Sequence, residues 1–270
     1  LSVVSRLARR ETKSKLAYRQ AGIWAQIPRF LRLLVDSLGM TKSIMLLGFS
    51  TGSLYQTHPR ISKETFSFFR LLGCNAIELM CRSEEDILKL ITEITTNDLF
   101  GFEYVSLHSP DVVTVDTLEL LQRAQGIFHF RTIVIHPDEI ENWEIFSRFN
   151  LPISIENMDW KQERGKYVDS MQAIFEKIDA KMVLDVNHCF TNDPSLLLAK
   201  QMTDEFGEKI SQIHVSGFET DHEPLFKTKQ TEIMDAIVDK NLPIIIESEC
   251  ETIQDAQSEF EYVKNYLFGK

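Results

Sequence analysis

Eight short apolar runs punctuate the chain at spacings of 20 to 33 residues, and most end in a residue that can bind a metal or move a proton. They read MLLGFS near residue 45, NAIELM with Glu78, YVSLH to His108, RTIVIH to His136, PISIE to Glu156, MVLD to Asp185, ISQIH to His214 and LPIIIE to Glu247. Runs this uniformly apolar suit parallel strands buried on both faces rather than half-exposed ribbons. Polar turns and helical patterns lie between them. Ser83-Glu84-Glu85-Asp86 resembles a capping box ahead of Ile87, Leu88, Leu90 and Ile91. Asn192-Asp193-Pro194 sets a capping residue and an early proline before Leu196, Leu197 and Leu198. Lys229–Lys240 and Thr252–Phe268 carry further helical stripes.

Eight strand–helix units from Met45 onward predict an α/β chain folded as a single (β/α)8 TIM barrel over residues 40–270. A doubly wound open sheet is the competing arrangement. It gathers its ligands at one crevice, whereas here candidate ligands end six or seven different strands. No GxGxxG or GxxxxGK[ST] motif follows any strand, so no nucleotide cofactor is expected.

The first 39 residues break the rhythm. They carry eight Lys/Arg against Glu11 and Asp36, a balance of +6, which leaves residues 40–270 at −17 within a total of −11. We expect 1–39 to be a basic N-terminal extension, poorly ordered or helical, and non-native or dispensable. So acidic a body does not attract nucleic acid over its general surface. Four cysteines without a CxxC pair suit a reduced, cytoplasmic setting. No apolar run approaches the roughly 18 residues that a membrane span needs, so no membrane partner is expected; an oligomer is compatible with the sequence.

The carboxyl ends of barrel strands converge on one face. Glu156, Asp185, His214 and Glu247 end strands five to eight, and three carboxylates with one imidazole suit a divalent ion: Mn²⁺, Mg²⁺, Co²⁺ or Zn²⁺. Without a cation, like-charge repulsion would oppose that gathering. His188, just past Asp185, can serve a second ion or the substrate, and His108 and His136 on the strands opposite can do the same. In the loop after strand seven, His222 is the better ligand of the Asp221-His222 pair. Lys161, Arg164 and Lys166 follow Glu156 on the active face; the first two are candidate substrate grips for a phosphate, against the plainer reading of a solvated charge run. His58 in the first loop is expected to be exposed, and His129, ahead of strand four, to be structural. Cys189 beside His188 is weak evidence for thiol chemistry.

With these residues the chain resembles the xylose isomerase-like TIM-barrel superfamily, which includes sugar isomerases and epimerases and the endonuclease IV (AP endonuclease family 2) proteins. The resemblance spans nearly all of residues 44–265 through SLHSP, VIHPD, ISIENMD, VLDVNH, QIHVS, DHEPL and IIIES, in that order. For the epimerase branch it implies one metal on Glu156, Asp185, His214 and Glu247. The two glutamates then face opposite sides of a sugar and relay a proton through an enediolate, with His188 touching the substrate. For the endonuclease branch it implies a zinc cluster on the same four plus His108, His136, His188, an aspartate near Asp221, and His222, activating hydroxide against a phosphodiester. Two departures weigh against that branch. Its loop aspartate and histidine are separated by one residue where Asp221 and His222 are adjacent, and the barrel lacks long basic insertions. The expectation is a metal-dependent sugar or sugar-phosphate isomerase/epimerase of carbohydrate metabolism. The alternative is a zinc-dependent phosphodiester hydrolase with nucleic acid as partner; a non-enzymatic scaffold is the third reading.

Overall fold

The computed structural model describes residues 45–269 apart from Asp111 and Glu141, so the extension at 1–39 lies outside the described residues. Eight parallel strands close into a barrel in sequence order. They are β1 (Leu47–Ser50), β2 (Ala76–Met80), β3 (Tyr104–His108), β4 (Thr132–Ile135), β5 (Ile153–Glu156), β6 (Lys181–Asp185), β7 (Ile210–Val215) and β8 (Ile244–Ile246). β8 closes the ring on β1 through the pairs Leu47–Ile244, Gly48–Ile245 and Phe49–Ile246. Gly48 is required there: a Cβ would stand 1.7 Å from the Ala76 carbonyl oxygen.

The helices are α1 (Lys63–Leu72), α2 (Glu84–Glu93), α3 (Val115–Phe128), α4 (Val168–Phe175), α5 (Val186–Asn192), α6 (Leu197–Phe206), α7 (Leu225–Thr228), α8 (Thr231–Asp235) and α9 (Ile253–Phe268). Ser62, Ser83, Thr114 and Thr252 start α1, α2, α3 and α9, each side-chain oxygen accepting the backbone N–H three residues on. Three local expectations are corrected. The β4–β5 crossover holds no α-helix among its described residues but two 3₁₀ turns, Pro137–Glu139 and Trp143–Arg148. The 229–240 stripe forms only the five residues of α8, which starts after Lys229 turns left-handed at φ 62° and ends α7. Asp193 does cap, accepting from Leu198 N at 3.0 Å, but Leu196 is left-handed and α6 begins only at Leu197. No helix among the described residues is long and apolar enough to cross a membrane.

Strand alternation sorts the side chains into two populations. Ile77, Leu79, Leu107, Ile133, Ile135 and Ile155 join the large apolar core with the helices. Ala76, Tyr104 and Ile245 form a small separate cluster. Two residues further along those same strands come Glu78, Ser106 and Glu247, so the barrel interior passes from apolar to polar toward its carboxyl end.

Candidate metal centre

Glu156 and Asp185 are the last residues of β5 and β6, His214 is the penultimate residue of β7, and Glu247 follows β8 directly. The fold brings them together: one donor atom from each lies within 4.8 Å of the others. His214 Nδ1 is 3.2 Å from Glu156 Oε1 and 3.1 Å from Glu247 Oε2. The backbone fixes this meeting. Asp185 pairs in register with His214, and Glu247 N–H donates to Val215 O at 2.9 Å. Asn157 clamps Asp185 on both sides, accepting from its N–H at 2.8 Å and donating to its carbonyl at 2.9 Å.

A second donor group shares Glu156. His108, His136 and Glu156 also each offer an atom within 4.8 Å of the others. The His108 and His136 Nε2 atoms lie 3.0 Å apart, and Glu156 Oε2 stands 3.6 and 3.3 Å from them. Glu156 thus aims Oε1 at His214 and Oε2 at the histidine pair.

The imidazoles are oriented from behind, as metal-bound histidines are. His108 Nδ1 faces Ser109 O at 3.1 Å and His188 Nδ1 faces Asn157 O at 2.8 Å. An N–H donated to each carbonyl leaves Nε2 as the ligand nitrogen. His214 is oriented the other way, its Nε2 3.2 Å from Glu78 Oε2. Glu78, fully buried, also accepts from Ser106 Oγ at 3.1 Å and Gln212 Nε2 at 2.5 Å.

Electrostatics show how strongly negative charge is concentrated here. Burial works against charge on His108, His188, His214, Glu156 and Glu78, and their neighbours overcome it. His214 is held well above the ordinary imidazole pKa by Glu247, Glu78 and Glu156. His108 is raised by its contact with Glu156, and His188 by Asp185 and Glu156. Glu156 is held well below the carboxylate range by His214, His108 and His136, and Glu78 is lowered by His214. In the metal-free protein the imidazoles thus carry the positive charge that the carboxylates call for. Glu247 Oε1 is buried without a hydrogen-bond partner, and Glu156 Oε2 and Asp185 Oδ2 reach imidazoles only at 3.3 to 3.6 Å. A divalent cation can take the place of those protons, so the donor set fits one.

Above the donors opens a cavity of about 490 Å³. Glu156, Glu247, Glu249, His108, His136, His188 and His222 line it, together with Ser50, Tyr55, Arg60 and Arg82. His222 stacks edge-on against His188 at 5.4 Å and meets Ser216 Oγ through Nδ1 at 2.9 Å. The remaining candidates have other partners. Lys161 Nζ pairs with Asp221 at 3.3 Å on the surface, and Arg164 donates to Ile140 O at 2.9 Å; neither lines the cavity. His58 stacks on Phe68. His129 ends α3 with a left-handed backbone, away from the strand ends. Burial pushes the Cys189 thiol up, so it is no thiolate nucleophile. The sequence marked Glu78 as an acid inside an apolar strand and held Asn157 within ISIENMD but gave neither a role, and it carried no signal for Arg60 or Arg82.

No protein-family model matches the sequence, and no curated protein matches it either. Solved structures do match in fold. A xylose isomerase domain containing protein from Salmonella typhimurium LT2 superposes with a TM-score of 0.56 at 12% identity, covering 84% of this chain and 98% of that one. An L-ribulose 3-epimerase gives 0.52 at 13% identity, covering 82% and 94%. A D-allulose 3-epimerase from Methylomonas sp. gives 0.53 at 12% identity, covering 82% and 97%. The chain has the fold of the xylose isomerase-like TIM barrels.

Proposed function

We propose that the protein is a divalent-metal-dependent isomerase or epimerase acting on a sugar or sugar phosphate. The observation that carries this reading is the meeting of Glu156, Asp185 and Glu247 with His214, one donor atom of each within 4.8 Å of the others, beside a cavity of small-molecule size. Glu156, Asp185, His214 and Glu247 would hold the ion, which when bound polarises a substrate carbonyl and acidifies the adjacent C–H. Glu247 takes that proton. It borders the cavity with 11% of its side chain exposed, enough to reach substrate without being solvated as a free acid. Glu156, three strands away in the ring of eight, relays a proton back from the other side, drawn from His108, whose Nε2 lies 3.6 Å from Glu156 Oε2. His188, anchored through Nδ1 at Asn157 O and with Nε2 3.6 Å from Asp185 Oδ2, borders the cavity and meets a substrate hydroxyl. His108 and His136 hold further hydroxyls.

One observation favours a second reading. Glu156 offers one oxygen to each of two donor groups, and a shared carboxylate of this kind suits paired ions that hydrolyse phosphate esters. The acidic body then favours a small phosphate ester over a nucleic acid.

Two measurements on one preparation separate the readings. Protein purified without chelator is analysed for metal, then incubated with a panel of aldoses, ketoses and their phosphates in deuterated water. Deuterium entering the carbon beside the carbonyl, with about one ion per chain, supports the isomerase. No deuterium uptake, two or more ions per chain and cleavage of bis-p-nitrophenyl phosphate would sink it in favour of the hydrolase.

A further inference from the structure

The cavity lining carries both signs of charge. Glu156, Glu247 and Glu249 supply one, among the imidazoles of the candidate centre. Arg60, ahead of α1, and Arg82, in the turn between β2 and α2, supply the other. These arginines are not part of a generally basic surface, since the chain as a whole carries −11.

Arg60 is set in place. Its guanidinium carbon lies 5.1 Å from the centroid of the Tyr55 ring, and Tyr55 OH donates to Glu249 Oε2 at 3.4 Å. Yet Arg60 Nε is buried with no hydrogen-bond partner. Buried donors find acceptors, and a guanidinium in a cavity wall is satisfied best by an oxyanion accepting two parallel N–H bonds. The cations nearest Glu156 in sequence cannot do this, because Lys161 is paired with Asp221 and Arg164 is spent on backbone carbonyls.

We infer that Arg60 and Arg82 form an anion subsite that takes the terminal phosphate of the substrate, so that the substrate class is a sugar phosphate rather than a free sugar. β1 and β2 lie across the ring from β5 and β6. A phosphate held by the arginines therefore leaves the rest of an open-chain sugar to extend toward Glu156 and Asp185 at the ends of β5 and β6. The inference rests on the isomerase reading for the reacting end of the substrate, but its test reads the subsite alone.

The probe is inorganic phosphate, titrated calorimetrically into metal-loaded protein, with acetate as a second anion and metal content measured in the same samples. R60Q and R82Q should each weaken phosphate binding roughly tenfold to hundredfold at unchanged metal content. R60K, which keeps the charge and loses the fork, should fall between wild type and R60Q. Absence of phosphate binding by the wild type would overturn the subsite. So would equal affinity in the variants, acetate binding as tight as phosphate, or loss of metal from R60Q and R82Q. Weakened phosphate binding in the variants, together with no deuterium uptake by any sugar phosphate, would keep the subsite and reject the isomerase.

Discussion

His214 is held from both edges of its ring: Glu78 Oε2 lies 3.2 Å from Nε2 and Glu247 Oε2 lies 3.1 Å from Nδ1. Both contacts favour a protonated ring in the metal-free protein. An ion that displaces the Nδ1 proton leaves Nε2–H facing Glu78, and the buried carboxylate behind the ring raises the basicity of Nδ1.

Glu78→Gln should therefore weaken metal binding roughly 10- to 100-fold, the usual effect of losing a partner behind a ligand. Glu78 does not line the cavity, so a substrate role does not confuse the result. Competition with a chromogenic chelator measures it. Unchanged affinity would remove Glu78 from the centre.

Glu247→Gln keeps the size of the side chain at the cavity wall while removing the base. Turnover should drop by roughly 10²- to 10⁴-fold, the range for losing a general acid–base group, with the circular dichroism spectrum and unfolding midpoint close to wild type. Wild-type turnover would refute the role given to it.

His108, His188 and His214 are held above the ordinary imidazole pKa, so the folded chain keeps protons that the unfolded chain has lost. Their stabilisation is complete below about pH 6.5 and is lost as pH rises through the folded values. Glu156 works in the other direction: its contribution is present above the ordinary carboxylate pKa and lost as pH falls through its lowered folded value. Metal-free protein should thus melt at progressively lower temperature toward alkaline pH. A bound ion displaces those imidazole protons, and the alkaline decline should then flatten. Thermal melts from about pH 6 to pH 9, with and without chelator, compare the slopes. Identical slopes would count against metal on these histidines.

Gly48→Ala tests barrel closure. Its Cβ would fall 1.7 Å from Ala76 O, a backbone atom that cannot swing aside. A loss of about 3 kcal/mol or more is expected, read as a shifted denaturation midpoint or as insoluble protein. A change within about 0.5 kcal/mol, normal for a surface site, would show that β1 and β2 can move apart.

The barrel was legible because a parallel strand buried on both faces leaves an uninterrupted apolar run, with a functional residue at its end. That made Glu156, Asp185, His214 and Glu247 readable as a group before their geometry was known. Other features depend on encounters between distant segments. Glu78 gains its meaning from His214, which is 136 positions away. Arg60 and Arg82 enter the cavity from loops whose course no periodicity dictates. Lys161 and Arg164 looked suitable from their nearness to Glu156, but the loop turns them to Asp221 and Ile140 O. The helix expected at 229–240 starts only at Thr231, after the left-handed turn at Lys229, and stops at Asp235.

The 3₁₀ turns between β4 and β5 make the wall uneven in stiffness. That arc is secured by Ile140, Ile145 and Phe146, all buried, rather than by a long ladder of helical hydrogen bonds. Amide hydrogens there should exchange with solvent sooner than those of α3 or α9, since local opening follows the weakest hydrogen-bonded segment. His136 sits at the head of this arc with a quarter of its side chain exposed. Of the donor residues, His136 would therefore be the one whose surroundings open first.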